Sequence, residues 1–200
     1  MPFSIDRRRF LEQCGLLAVG AAGGLLLPGW FVASERADAQ DKPPLHDAEE
    51  QLKKLKLELP AVQKSSNPLA PAVRAGDLLF VSGHVPGPID GKPSVGKLGQ
   101  DVDVKQGQAA ARDIALRTLG VVRAELGSLN KVVRLVKVLG MVNCTPDFKQ
   151  QPAVINGFSE LMIEVFGEQA GKGARSAVGM AGLPGGVPVE IESIFQVKSA

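Results

Sequence analysis

The chain reads as one α+β domain, a mixed β-sheet with two helices packed on one face, behind an N-terminal targeting segment. Val104–Leu126 repeats apolar residues at helical spacing along its whole length, and a second helical stretch follows at 151–166. Stretches at 77–82, 131–142, 175–183 and 187–197 are apolar or alternating and lie between Gly and Pro punctuation, as strands do. With the extended 65–75 piece ahead of them, elements in the order β, β, long α, β, α, β, β fit a sheet covered on one side only. Its bare face must be buried somewhere, so association with copies of itself is expected.

Composition narrows the function. The 200 residues are 44% hydrophobic and 22% charged, with a net charge of +2, which excludes a strongly cationic nucleic-acid binder and an acidic disordered tail. Two cysteines do not make a disulfide scaffold, and two histidines alone do not make a typical zinc site. There is no tyrosine, so none takes part in catalysis.

Residues 1–39 read as an address. Arg7-Arg8-Arg9-Phe10-Leu11 is a twin-arginine export pattern. No charge falls between Glu12 and Glu35, and Ala37-Asp38-Ala39 supplies a small-x-small cleavage signal before Gln40. The competing reading is a retained anchor, since the uncharged stretch is about long enough to span a bilayer. Its glycines and Pro28 argue against a stop-transfer helix, so cleavage after Ala39, a periplasmic destination and no stable membrane insertion are expected. The export machinery is then a transient partner. Four arginines and four acids leave with the segment, so the balance stays at +2, and Cys144 remains as a lone thiol, expected to be buried.

Residues 40–56 form a linker and an N-terminal helix, and 57–200 form the domain proper. The helix runs Asp47–Leu59 on Leu52, Leu55 and Leu59, with Asp47 as N-cap, Glu50 as its box partner and Pro60 as the stop. Prolines at 68 and 71 keep the following piece extended, and Gly87–Gly99 reads as a loop with little packing of its own. In the long helix Ala110, Ile114, Leu119 and Val122 form the buried stripe, and Gly127 is the C-cap. Asp147 is expected to cap the next helix and Gly167 to end it. Pro184-Gly185-Gly186 reads as a turn that pairs 175–183 with 187–197 in a hairpin.

Most chemical motifs fail. Gly167–Gly173 has the wrong spacing for a phosphate loop, and Gly173 stands where Ser or Thr would hold magnesium. Ser82 has no nucleophile elbow around it. Arg175 and Glu190, brought near one end of the expected hairpin, are the remaining candidates: a planar fork for a carboxylate, and a carboxylate able to orient water. The bland alternative is a structural ion pair between them, or an exposed Glu190.

The chain resembles the RidA (YjgF-type) reactive-intermediate deaminases, also labelled endoribonuclease L-PSP. The residues that carry this are Leu79–Pro86, Gly96–Gly99, Ala109–Arg112, Pro152–Gly157, Ala174–Gly179 and Leu183–Glu192. Ile155-Asn156-Gly157-x-Ser159-x-Leu161 is similar to the chorismate-mutase-like branch. The resemblance implies a chorismate-mutase-like fold, a homotrimer with clefts between subunits, and neither metal nor organic cofactor. It implies that Arg175 clamps the carboxylate of a 2-imino or enamino acid and that Glu190 fixes the attacking water. Gly83, His84, Asn156 and Ala177 match cleft-lining positions, with His84 in place of the usual glutamine and Ala177 where many members have Cys or Thr. The expected activity is hydrolysis of 2-imino acids to 2-keto acids and ammonia. The alternatives are a trimeric small-carboxylate binding protein and, more weakly, an endoribonuclease, which a near-neutral charge disfavours.

Overall fold

Residues 46–62 and 68–199 are described by the computed structural model. The expected export signal, its cleavage point and the linker before His46 lie outside them. Within the described residues the strands are β1 (Ala72–Ala75), β2 (Leu78–His84), β3 (Val132–Asn143), β4 (Ala174–Met180) and β5 (Val189–Val197). They form one mixed sheet in the order β1-β2-β5-β3-β4. The helices are α1 (Ala48–Lys54), α2 (Val104–Leu126) and α3 (Gln151–Gly171). The α+β class with two long helices on one sheet face is as expected.

The hairpin is not. Both of its stretches are strands, but β3 lies between them, running parallel to β4 and antiparallel to β5. The Pro184–Gly186 turn belongs to a loop that crosses the end of β3 instead of folding β5 back on β4. Asn143 holds that loop: its N–H donates to Pro188 O at 2.9 Å and its Nδ2 to Val187 O at 3.2 Å. The apolar residues of β3 gain a hydrogen-bonded neighbour on each side this way, so β3 is an interior strand of the sheet.

Alternation sorts the faces. In β5, Val189, Ile191, Ser193, Phe195 and Val197 are buried, while Glu190, Glu192, Ile194 and Gln196 lie on the other side. The buried face meets Ile114, Leu119 and Val122 of α2 and Ile155, Phe158 and Leu161 of α3. Phe195 also meets Phe166 edge to face, with ring centroids 6.3 Å apart. Ser193 is the exception on this face, because its hydroxyl is buried with no hydrogen-bond partner among the described residues. Ser193→Ala removes an unsatisfied polar group and is expected to raise stability by about 1 kcal/mol, read as a higher urea midpoint.

The helix ends differ in detail from expectation. Asp103 and Gln106 close a full capping box on α2, and Gly127 caps its C-terminus as foreseen. Asp147 does not cap α3, whose N-cap is Gln150 and whose first turn holds Pro152. The Asp147 carboxyl bonds Thr145 instead, which lowers its pKa. Gly167, at φ 77° and ψ 167°, breaks α3 as only glycine readily can, but one further turn follows to Gly171.

α1 stops at Lys54, short of the expected Leu59, because Leu57 and Leu59 reach the core from an extended chain. Its start is capped twice. Asp47 Oδ1 accepts from Glu50 N at 2.9 Å, and Asn130 Oδ1, far along the chain, accepts from Ala48 N at 2.9 Å. The 87–99 loop packs more than expected. Leu98 is fully buried, and Gly87 N donates to Asp113 Oδ2 of α2 at 2.8 Å. Cys144 is a free, buried thiol, in line with the sequence reading.

Candidate functional site

The register separates the two principal candidates. Arg175 pairs with Val138 of β3 and Glu190 with Met141, three residues further along. Three is odd, so the two side chains leave opposite faces of the sheet. Two strand spacings and three residues put their Cα atoms roughly 14 Å apart. An ion pair between them is ruled out, and no single ligand touches both within one chain.

Arg175 sits on β4, an edge strand, on the helix-covered face. Its Nη1 donates to Asn156 Oδ1 and to Ser159 Oγ, both at 3.0 Å, and its Nη2 to Pro152 O at 3.4 Å. Residues 152, 156 and 159 fall on one stripe of α3, so successive helix turns build this cradle. All three acceptors are neutral. Arg112, Arg117 and Arg123 each pair with a carboxylate, whereas Arg175 has no acidic partner among the described residues. An oriented, half-buried guanidinium with an uncompensated charge is suited to an anion. Ala177, two residues on in β4, shares this face opposite Gly140.

Glu190 belongs to a second group. Facing it is Gly83, where β2 carries one extra residue between the pairs Val81–Ser193 and His84–Ile191. A Cβ at Gly83 would occupy the place of the Glu190 carboxylate, so glycine alone allows this approach. His84 follows the bulge, half-buried, with Nδ1 2.7 Å from Ser82 O. A carbonyl oxygen only accepts, so Nδ1 carries the hydrogen, and Nε2 has no partner among the described residues. Burial raises the Glu190 pKa, the like charge of Glu192 raises it further, and His84 draws it back.

The sequence-derived residues therefore fall into two sets: Arg175, Asn156 and Ala177 at the β4 edge, and Gly83, His84 and Glu190 around the β2 bulge. Ser159, the Pro152 carbonyl and Glu192 lie in the matched stretches but were given no site role from the sequence. The helical spacing of 152, 156 and 159 was the available signal for the first two. An open depression of about 570 Å³ lies elsewhere, between residues 99–106 and Phe148–Gln150. It holds none of the candidates, and its acids are engaged: Asp103 caps α2, and Asp101 Oδ2 accepts from Lys97 N at 3.2 Å.

Residues 49–184 match the family model described as "YjgF/chorismate_mutase-like, putative endoribonuclease". The chain belongs to this family. The matched range holds both long helices and the Arg175 cradle, while Glu190 lies just beyond it. Protein TCP17 of Trypanosoma cruzi is 40% identical over 148 residues, covering 74% of this chain and 92% of that protein. A RutC family protein of Pyrococcus horikoshii is 32% identical over 131 residues, covering 66% and 88%. Among solved structures, a protein of unknown function from Agrobacterium tumefaciens is 41% identical with a TM-score of 0.67, covering 76% of this chain and 92% of its own. A "putative endoribonuclease" from Shewanella oneidensis superposes with a TM-score of 0.70 at 25% identity, covering 76% and 100%. RidA/YjgF membership and the chorismate-mutase-like fold read from the sequence are thus established.

Proposed function

We propose that this RidA/YjgF-family protein hydrolyses small 2-imino or enamino acids to 2-keto acids and ammonia, in sites formed between copies of the chain. The observation that carries this reading is the cradle of Arg175, a cation held by three neutral acceptors and paired with no acid among the described residues. In the proposed reaction Arg175 takes the substrate carboxylate. Glu190 holds a water against the imine carbon and accepts its proton as the C–O bond forms. Return of that proton to the nitrogen lets the carbinolamine collapse, breaking the C–N bond to expel ammonia and leave the keto acid, so hydrolysis needs only water as co-reactant.

The separation of the two sets supports a composite site. With Arg175 and Glu190 on opposite faces, a substrate meets both only if one copy supplies Arg175 and its neighbour supplies Glu190. The open sheet face favours such assembly, because Val73, Leu78 and Phe80 are exposed on β1 and β2, and Val178 and Met180 on the β4 edge. A homotrimer, as the family resemblance implies, closes such head-to-tail contacts into a ring. The proposed setting is the periplasm, reached by twin-arginine export with cleavage after Ala39, and no metal, organic cofactor or nucleic acid is invoked.

The test generates 2-iminopropionate in place with an amino-acid oxidase and follows its loss. Loss faster than background with the wild type, but not with Arg175→Ala, is the expected result. Background loss with both contradicts the reading and leaves the carboxylate-binding alternative ahead.

The Glu190 environment adds a pH prediction. Water positioning needs the ionised carboxylate, so its raised pKa moves the acid limb of the rate profile above the usual glutamate range. Activity falls as pH drops through that raised value. Glu192→Gln removes the like charge and is expected to move the limb to lower pH, checked by kcat against pH.

A further inference from the structure

A guanidinium has five N–H donors and two edges that match a carboxylate: the end-on pair Nη1/Nη2 and the side pair Nε/Nη2. Arg112 shows the end-on mode within this chain, with Nη1 3.1 Å from Glu164 Oε1 and Nη2 2.7 Å from Glu164 Oε2. Arg175 cannot use that edge. Both Nη1 hydrogens are taken, by Asn156 Oδ1 and Ser159 Oγ, and one Nη2 hydrogen goes to Pro152 O. Nε–H and the other Nη2–H have no partner among the described residues.

We propose that Ser159 and Asn156 are positioning residues for Arg175: by closing its end-on edge, they leave the side edge as a two-pronged fork that takes one planar carboxylate. This rests on Arg175 being the carboxylate clamp of the proposed reaction. The neutrality of both acceptors matters as much as their placement. An acid at either position would fix the guanidinium as firmly while cancelling the charge the ligand needs. The geometry also sets ligand class. Two coplanar donors and one positive charge suit a monocarboxylate, whereas a tetrahedral phosphonate dianion calls for more donors and more charge than this edge offers.

The test measures binding of pyruvate, and of acetylphosphonate as its tetrahedral counterpart, by isothermal titration to the whole protein. Thermal melts check each variant's fold. Wild type is expected to bind pyruvate more tightly than acetylphosphonate. Ser159→Ala should weaken pyruvate about tenfold, the effect of losing one hydrogen bond to a charged group. On 2-iminopropionate the same variant should raise KM and leave kcat near wild type, because the hydroxyl acts through Arg175 and not on the reacting carbon. Ser159→Thr, which keeps the hydroxyl, should restore affinity. Asn156→Asp should abolish pyruvate binding with its melting temperature kept or raised, a result that loss of fold cannot produce.

Unchanged pyruvate affinity in Ser159→Ala, with affinity lost in Arg175→Ala, overturns the positioning role while leaving the clamp intact. Acetylphosphonate bound as tightly as pyruvate by the wild type overturns the planar fork. Affinity for pyruvate that Arg175→Ala does not change overturns the clamp itself, and the positioning role with it.

Discussion

Arg175→Ala is expected to lower kcat/KM on 2-iminopropionate by on the order of 10²–10³, the usual effect of deleting one partner of a desolvated, hydrogen-bonded charge pair. The loss has two parts. The carboxylate loses a bidentate donor, and the imine loses the anchor that holds its carbon at a fixed distance from water. Arg175→Lys should recover little, because an ammonium supplies charge without a fork and lacks the geometry to occupy Asn156, Ser159 and substrate together. Steady-state kinetics on both variants checks this. Activity within a few-fold of wild type in Arg175→Lys would mean that charge alone is used.

Glu190→Gln is expected to reduce kcat by about 10²–10⁴, the range found when a general base is removed. Glutamine keeps the shape that Gly83 accommodates, so the fold should be unaffected. It also removes the ionisation that limits the rate at low pH. What activity remains in Glu190→Gln should therefore lack the acid limb expected of the wild type. Retention of that limb would assign it to another group.

The separation of these two residues shows where sequence reading stops. Periodicity carried the helices and the strands, because burial on one face imposes a period of 3.6 or 2 on the residues themselves. Ala110, Ile114 and Leu119 are where their spacing put them. Pairing carries no such imprint. Nothing in Ala174–Met180 or Val189–Val197 states that β3 will lie between them, and a Pro-Gly-Gly turn fits a wide loop as well as a hairpin. The placement of Arg175 and Glu190 on opposite faces depends on β3, a strand some thirty residues before β4 in the chain.

Long-range capping was hidden for the same reason. Asn130 caps α1 across 82 residues, and no local pattern marks it. Site chemistry was easier to read where a motif fell on one element. Asn156 and Ser159 belong to a single helix stripe, and their shared grip on Arg175 follows once β4 is laid alongside α3. Gly83 was visible as a matched position, but its reason, the approach of Glu190 across a bulge, belongs to the register of β2 on β5.

Co-expression of Arg175→Ala with Glu190→Gln tests the composite site most directly. Each variant alone is expected to be nearly inactive. In random mixtures of the proposed trimer, a site that takes Arg175 from one copy and Glu190 from the next is intact wherever the two parental types meet in the right order. That restores about a quarter of wild-type turnover. A site built within one chain is never intact in any mixture, so turnover no higher than that of the separate variants, in trimers shown by mass to contain both chains, would contradict the account.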